Sequence, residues 1–254
     1  MAKDFTNIIY QSLLQSLKEA DYQFQSFAEF LEKPAERSIV LRHDVDAKAY
    51  NSLLFARIQA DMGIKGVYYF RAVPQSWKVD VIKEIAALGH EIGYHYECLT
   101  TCGGDMKQGM ADFEKNLEAL RKLAPVSTIC MHGSPMSQYD SKDLWKSNDY
   151  QNYGIIGEPY FDVDFKKVFY LTDTGRSWDG GSFSVRDKVD SAYSLKFRYT
   201  HEIIKAIHEN KLPDQIMFTF HPQRWTDNQV QWWKEMVMQN IKNRVKKYFF
   251  VKKP

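Results

Sequence analysis

The chain has 254 residues, a length that suits either two small domains or one α/β barrel. Hydrophobic residues make up 44% and aromatic residues 15%, which is enough for a large core and excludes disorder as the general state. Lys and Arg outnumber Asp and Glu by only 34 to 32, so the whole-chain balance of +2 makes nucleic acid and anionic membrane poor first readings.

No window of 18 or more apolar residues occurs, and the start, Met1-Ala2-Lys3-Asp4-Phe5-Thr6, lacks a basic segment leading into an apolar one. The expectation is an unexported, cytoplasmic protein with no membrane span. Cys98, Cys102 and Cys130 are too few and odd in number for a disulfide framework, which agrees with a reducing compartment. A zinc cluster of His95, Cys98 and Cys102 is conceivable, but structural zinc sites want four ligands from paired short spacings.

No repeat, low-complexity tract or linker interrupts the chain, so residues 1–254 read as one domain, with 1–35 as a helical cap. Two helices are predicted there, Thr6 to Lys18 and Tyr22 to Glu32, the second stopped near Pro34. Ser38 to Val45 reads as a buried strand. A helix carrying Leu54, Ile58 and Met62 follows and ends at Gly63. Val67 to Phe70 is the second strand, Lys78 to Leu88 a helix stopped by Gly89, and Glu91 to Tyr96 the third strand. Met106, Met110, Phe113, Leu117 and Leu120 give one apolar helical stripe, read as core packing.

Ser127 to Met131 is a fourth strand, before the turn His132-Gly133-Ser134-Pro135. Strand-like pieces lie at Val168 to Leu171 and Phe183 to Val185. A helix from Tyr193 to Glu209, a strand from Ile216 to Phe220 and a helix from Asn228 to Lys246 complete the pattern. Strands alternating with helices argue parallel βα units.

Four of the seven His fall at C-terminal strand ends: His43 in His43-Asp44-Val45-Asp46, then His95, His132 and His221. Parallel α/β folds place ligand sites at that edge, so these residues can converge. Asp44 and Asp46, two apart on an extended chain, point to one side and repel unless a cation or shared proton relieves them. The bland reading is a turn or helix N-cap at Asp46. His90 reads as structural support, and His201 and His208 as surface positions.

Leu41-Arg42-His43-Asp44-Val45-Asp46 and Gly89-His90-Glu91-Ile92-Gly93-Tyr94-His95 resemble the first two motifs of the polysaccharide deacetylase superfamily, the NodB-homology or carbohydrate esterase family 4 group. Phe218-Thr219-Phe220-His221-Pro222 is similar to its last motif, so the resemblance spans 38 to 222. It implies a distorted (β/α)7 barrel. It also implies Asp44 as catalytic base, Asp46 and His95 as ligands of a divalent ion, zinc foremost, and His221 as general acid.

Two departures stand out. Position 99, where the family carries a second ligand His, is Leu99, and the family's Arg-x-Pro motif has no counterpart around Met131 to Pro135. A replacement ligand must come from His132 or Glu97, with His132 ahead because imidazole keeps a neutral donor. The divergent pattern resembles a branch associated with surface-polysaccharide biosynthesis, which implies a sugar or glycan precursor as substrate. In the polar run 172–179, Arg176 can clamp an anion and Trp178 can stack on a sugar, and Trp225 has a similar standing, against an ordinary ordered loop.

The expected function is therefore metal-dependent removal of an N-acetyl group from a sugar. The rivals are a metal-independent hydrolase of another C–N bond and a non-catalytic glycan-binding relative. The sequence specifies no oligomeric state.

Overall fold

The computed structural model describes residues 3–134, 137–178 and 189–249. The expected strand at Phe183 to Val185 lies outside the described residues. The organising element is β2 (Ser38–Val45), buried at all eight positions. It runs between β7 (Gln215–Phe220) on one side and two strands on the other. Its first half there pairs with β1 (Gln23–Gln25) and its second half with β3 (Val67–Phe70). With β4 (Glu91–Tyr96), β5 (Ile129–Met131) and β6 (Phe169–Thr172), these make a seven-stranded sheet of order β5-β4-β3-β2-β7-β6, with β1 beside β2 and every pairing parallel. The sheet curls into a half-barrel with β5 and β6 as its edges, in keeping with the expected distorted barrel. The 155–158 segment shields the β5 edge: Ile129 N–H donates to the Gly157 carbonyl, and Met131 N–H to the Glu158 carboxylate.

The connecting helices are α1 (Asn7–Glu19), α2 (Phe27–Glu32), α3 (Ala49–Asp61), α4 (Val79–Ala87), α5 (Cys98–Thr101), α6 (Met106–Arg121), α7 (Pro159–Asp162), α8 (Thr200–His208) and α9 (Gln229–Phe249). They follow the sequence signals at α1, α4, α6 and α9 and depart from them elsewhere. Thr6 caps α1 by accepting from Ile9 N–H. The helix expected from Tyr22 is divided, because Gln23–Gln25 pairs with β2 before Ser26 and Glu29 form a capping box that starts α2. The helix expected from Tyr193 starts only at Thr200, where Glu202 accepts from the Arg198 and Tyr199 amides and fixes the first turn. In α3 the buried face is Ser52, Phe55, Ala56 and Gln59, while Leu54 is exposed, so the stripe drawn through Leu54 is displaced from the face that packs.

The N-terminal segment is woven into the core. Tyr10 of α1 stacks on Phe55 and reaches His43 with its hydroxyl at 3.2 Å. Strand register then positions the chemistry. His43 pairs with Phe220, so His221 stands level with Asp44; Thr172 pairs with Thr219, so Asp173 follows beside it. His132 N–H donates to the Tyr96 carbonyl, which continues the β4–β5 ladder past its last pair.

Candidate metal centre

Alternation along β2 divides its polar residues between two faces. His43 enters the core, stacked on Tyr68 at 4.1 Å, its Nδ1 bonded to the Val67 carbonyl and its Nε2 near Tyr10 and Gln59. Burial lowers its pKa to about 3, so it is a neutral structural imidazole. Arg42 and Asp44 share the other face. Arg42 Nε and Nη2 donate to the two Asp44 oxygens at 2.8 and 2.7 Å, with both residues buried. Arg42 also lies over the Tyr160 ring at 5.1 Å.

Past the end of β2, Asp46 meets His95 and His132. Asp46 Oδ1 lies 3.1 Å from His132 Nδ1 and 3.6 Å from His95 Nε2, and the two nitrogens are 3.2 Å apart. Three donors on a tetrahedral ion with bonds of about 2.0–2.1 Å would be spaced by about 3.3 Å, so the triangle has the size of a ligand set. The donor chemistry agrees. His95 Nδ1 is 2.8 Å from the Cys130 carbonyl and therefore donates there, which turns a lone pair on Nε2 toward the triangle. Burial pushes the His95 pKa down to about 4, keeping that ring neutral. Asp46 Oδ1 is buried and makes no hydrogen bond among the described residues. Burial alone would raise the Asp46 pKa, but His132, His221 and His95 hold it well below the usual carboxylate range. Such a buried, ionised acceptor beside an imidazole lone pair is what a cation would satisfy.

A second grouping, Asp44, His95 and Cys130, is also compact enough to hold an ion. Asp44 is committed to Arg42 through both oxygens, and Cys130 lies in an apolar cluster with Val40 and Met217. The Asp46–His95–His132 set is the one with a donor left over. Cys98 and Cys102 belong to no such grouping among the described residues, and burial raises the Cys98 pKa.

His221 borders the triangle from the β7 side, its Nε2 3.9 Å from Asp46 Oδ2. Its Nδ1 is 2.5 Å from Asp173 Oδ1, and its own backbone N–H donates to Asp173 Oδ2 at 3.0 Å. Trp225 Nε1 and Arg224 Nη1 also donate to Asp173, at 2.6 and 3.0 Å. Burial and the Arg224 charge press the His221 pKa down, yet Asp173, with help from Asp46, outweighs them and leaves it raised.

Glu97 stands outside the triangle. Arg71 grips it through Nε and Nη2 at 2.7–2.9 Å, and its nearest approach to the set is 3.9 Å, to the far nitrogen of His132. The aromatic residues expected to meet a sugar do not present a face. Trp178 is 3% exposed and packs on Phe218 and Phe220; Trp225 is 1% exposed and packs among Phe5, Phe55 and Phe220. Both are core residues whose indole N–H groups are spent on Thr200 and Asp173. Arg176 bonds the Arg224 carbonyl and lies between the Phe5 and Trp232 rings, directed toward α9 rather than toward Asp46.

Two partners were not singled out in the sequence. Arg42 holds both oxygens of Asp44; its signal was a charge two positions before Asp44 on a buried strand. Asp173 had the same signature as His132 and His221, a polar residue directly after a strand.

No protein-family model matches the sequence, and no curated protein does. Among solved structures, the chain is similar to BA3943, described as a carbohydrate esterase family 4 pseudoenzyme from Bacillus anthracis. Identity is 11% and the TM-score 0.42, over 83% of this chain and 62% of that one, so it spans about three fifths of that protein. It is also similar to the Xyl-CE4 domain of a multidomain xylanase from the hindgut metagenome of Trinervitermes trinervoides, with 12% identity, TM-score 0.41, and 83% and 85% of the two chains covered. A third is PdaA of Bacillus subtilis, a family 4 carbohydrate esterase, with 13% identity, TM-score 0.38, and 91% and 83% covered. No helix among the described residues is long and apolar enough to cross a membrane.

Proposed function

We propose that this chain is a metal-dependent hydrolase that removes an N-acyl group, acetyl foremost, from a sugar or glycan precursor in the cytoplasm. The observation that carries the reading is the Asp46–His95–His132 triangle, flanked on one side by Asp44 and on the other by His221. Asp44 Oδ2 is 3.7 Å from His95 Nε2, so base and acid address the same small volume.

What a divalent ion, zinc foremost, supplies at such a place is Lewis acidity, which polarises an acyl carbonyl and acidifies water. The rest falls to the chain. Asp44, its carboxylate held by Arg42, takes the proton from water as the oxygen attacks the acyl carbon. His221, with Nδ1–H held by Asp173, presents Nε2 to the leaving nitrogen and protonates it as the C–N bond breaks. The products are a carboxylic acid and a free amine.

Purified protein, stripped of metal and reloaded with zinc, should release acetate from N-acetylated amino sugars, and the Asp44→Asn variant should not. Equal turnover by stripped and reloaded protein would favour the metal-independent rival. No turnover of any acyl amino sugar, with ligand retention on a glycan array, would favour the binding protein.

A further inference from the structure

Helix α9 is built inside out. The side turned to the body carries Trp232, Met236, Gln239 and Asn243. Gln239 and Asn243 are only 8% and 7% exposed, and Asn243 donates to the Gly175 carbonyl at 2.9 Å. The opposite side carries Val230, Trp233, Val237, Ile241 and Val245, which are 44–77% exposed. At 3.6 residues per turn these five fall within an arc of about 120°, centred opposite the packed residues. A helix resting on a protein core normally buries its apolar stripe and exposes its amides.

Charge says what covers that stripe. Residues 229–254 hold seven Lys or Arg and a single acid, Glu235, a local balance of +6 in a chain of +2, so residues 1–228 carry −4. Glu235 is already paired with Lys48. Lys234 and Arg244 stand exposed within the apolar arc, and Lys242 is exposed about 60° beyond its edge. The whole-chain balance that argued against anionic membrane averages over this division.

We propose that the outer face of α9 docks on an anionic lipid bilayer, lying in the interfacial plane with its apolar stripe at the acyl boundary and its cations on headgroup phosphates. A second copy docked through the same face would set like charge against like, Lys234 and Arg244 against their counterparts, and a nucleic acid offers nothing to the apolar stripe. The placement has a consequence for the mouth of the half-barrel. Lys48 lies two residues past Asp46 and Gly175 two past Asp173, so α9 is seated beside the proposed site and docking holds that mouth at the lipid surface. The proposal does not depend on the metal reading.

The test is co-sedimentation of the full chain with vesicles of phosphatidylcholine alone or with about 30% phosphatidylglycerol, at low and moderate salt. Binding should be at least about tenfold tighter on the anionic vesicles and weaken with salt, and Val237→Glu with Ile241→Glu should lower it at least about tenfold without changing the melting temperature. A blue shift of tryptophan emission on binding should be lost in Trp233→Phe. Any of four results would overturn the proposal: no binding to anionic vesicles, equal binding to both vesicle types, unaltered binding by the double variant, or tighter binding to duplex RNA. A solution dimer that the double variant dissociates, with vesicles left unbound, would reassign the face to self-association.

Discussion

Arg42 and Asp44, two positions apart on β2, clasp each other through two hydrogen bonds of 2.8 and 2.7 Å with both side chains closed to solvent. The pair fixes the orientation of the proposed base from within its own strand. Asp44→Asn is expected to keep metal affinity and lower turnover by about a thousandfold or more, the upper range for a general base. Arg42→Met leaves Asp44 as an uncompensated buried charge and should cost about 3–5 kcal/mol in urea unfolding. A loss below about 1 kcal/mol would mean that Asp44 does not depend on this partner.

The Asp173–His221 contact makes a prediction about pH. Asp173 holds the His221 pKa above the ordinary histidine value, and a general acid works only while protonated. Activity should therefore fall as pH rises through that raised value. In Asp173→Asn the falling limb should move to lower pH, with turnover reduced more than substrate affinity. A limb that stays in place would assign the basic ionisation to another group.

Gly93 tests the packing beneath the site. A Cβ there would collide with the Tyr69 ring and come within 3.1 Å of the Thr128 carbonyl, so the strand before His95 admits no side chain at this point. Gly93→Ala should destabilise the fold by about 1–3 kcal/mol through overpacking. Adding Tyr69→Leu to it should recover part of that loss, as measured by chemical denaturation.

His43 governs part of the acid response. Its folded pKa is about 3 against about 6.5 in an unfolded chain, so the neutral form is preferred in the fold. The stability this contributes is complete above about pH 6.5 and is lost as pH falls toward 3. His43→Asn should unfold about 1–3 kcal/mol more easily at pH 7, because Tyr10 and Gln59 lose their partner. It should then lose less stability than the native chain between pH 6.5 and 4. A parallel pH dependence in both proteins would show that His43 does not titrate on unfolding.

Much of this arrangement was legible in the sequence, and the reasons are local. The buried run Ser38–Val45 and the His residues at strand ends announced parallel strands with a site at their carboxyl edge. Side-chain roles that depend on three-dimensional neighbours were not legible. Trp178 and Trp225 looked like sugar platforms because indole is equally at home in a core, and only the packing of Phe218, Phe220 and Phe5 around them decides between the two. Period-two alternation would have paired Arg42 with Asp44, whereas Asp173 reaches His221 only through the β6–β7 register. The inverted face of α9 escaped because an apolar stripe in sequence carries no sign of whether it faces the core or the solvent.

X-ray absorption at the zinc edge of the loaded protein tests most directly whether Asp46, His95 and His132 form the metal-binding set. The expected spectrum is a first shell of nitrogen and oxygen at about 2.0–2.1 Å with the outer scattering of two imidazoles, one of them lost in His132→Ala together with most of the affinity. Glu97→Gln should leave the spectrum unchanged and weaken binding by no more than about tenfold, since it touches only the far side of His132. A sulfur scatterer at about 2.3 Å would place the ion on Cys130 with Asp44 and His95 instead, and a two-imidazole spectrum that survives His132→Ala would contradict the assignment outright.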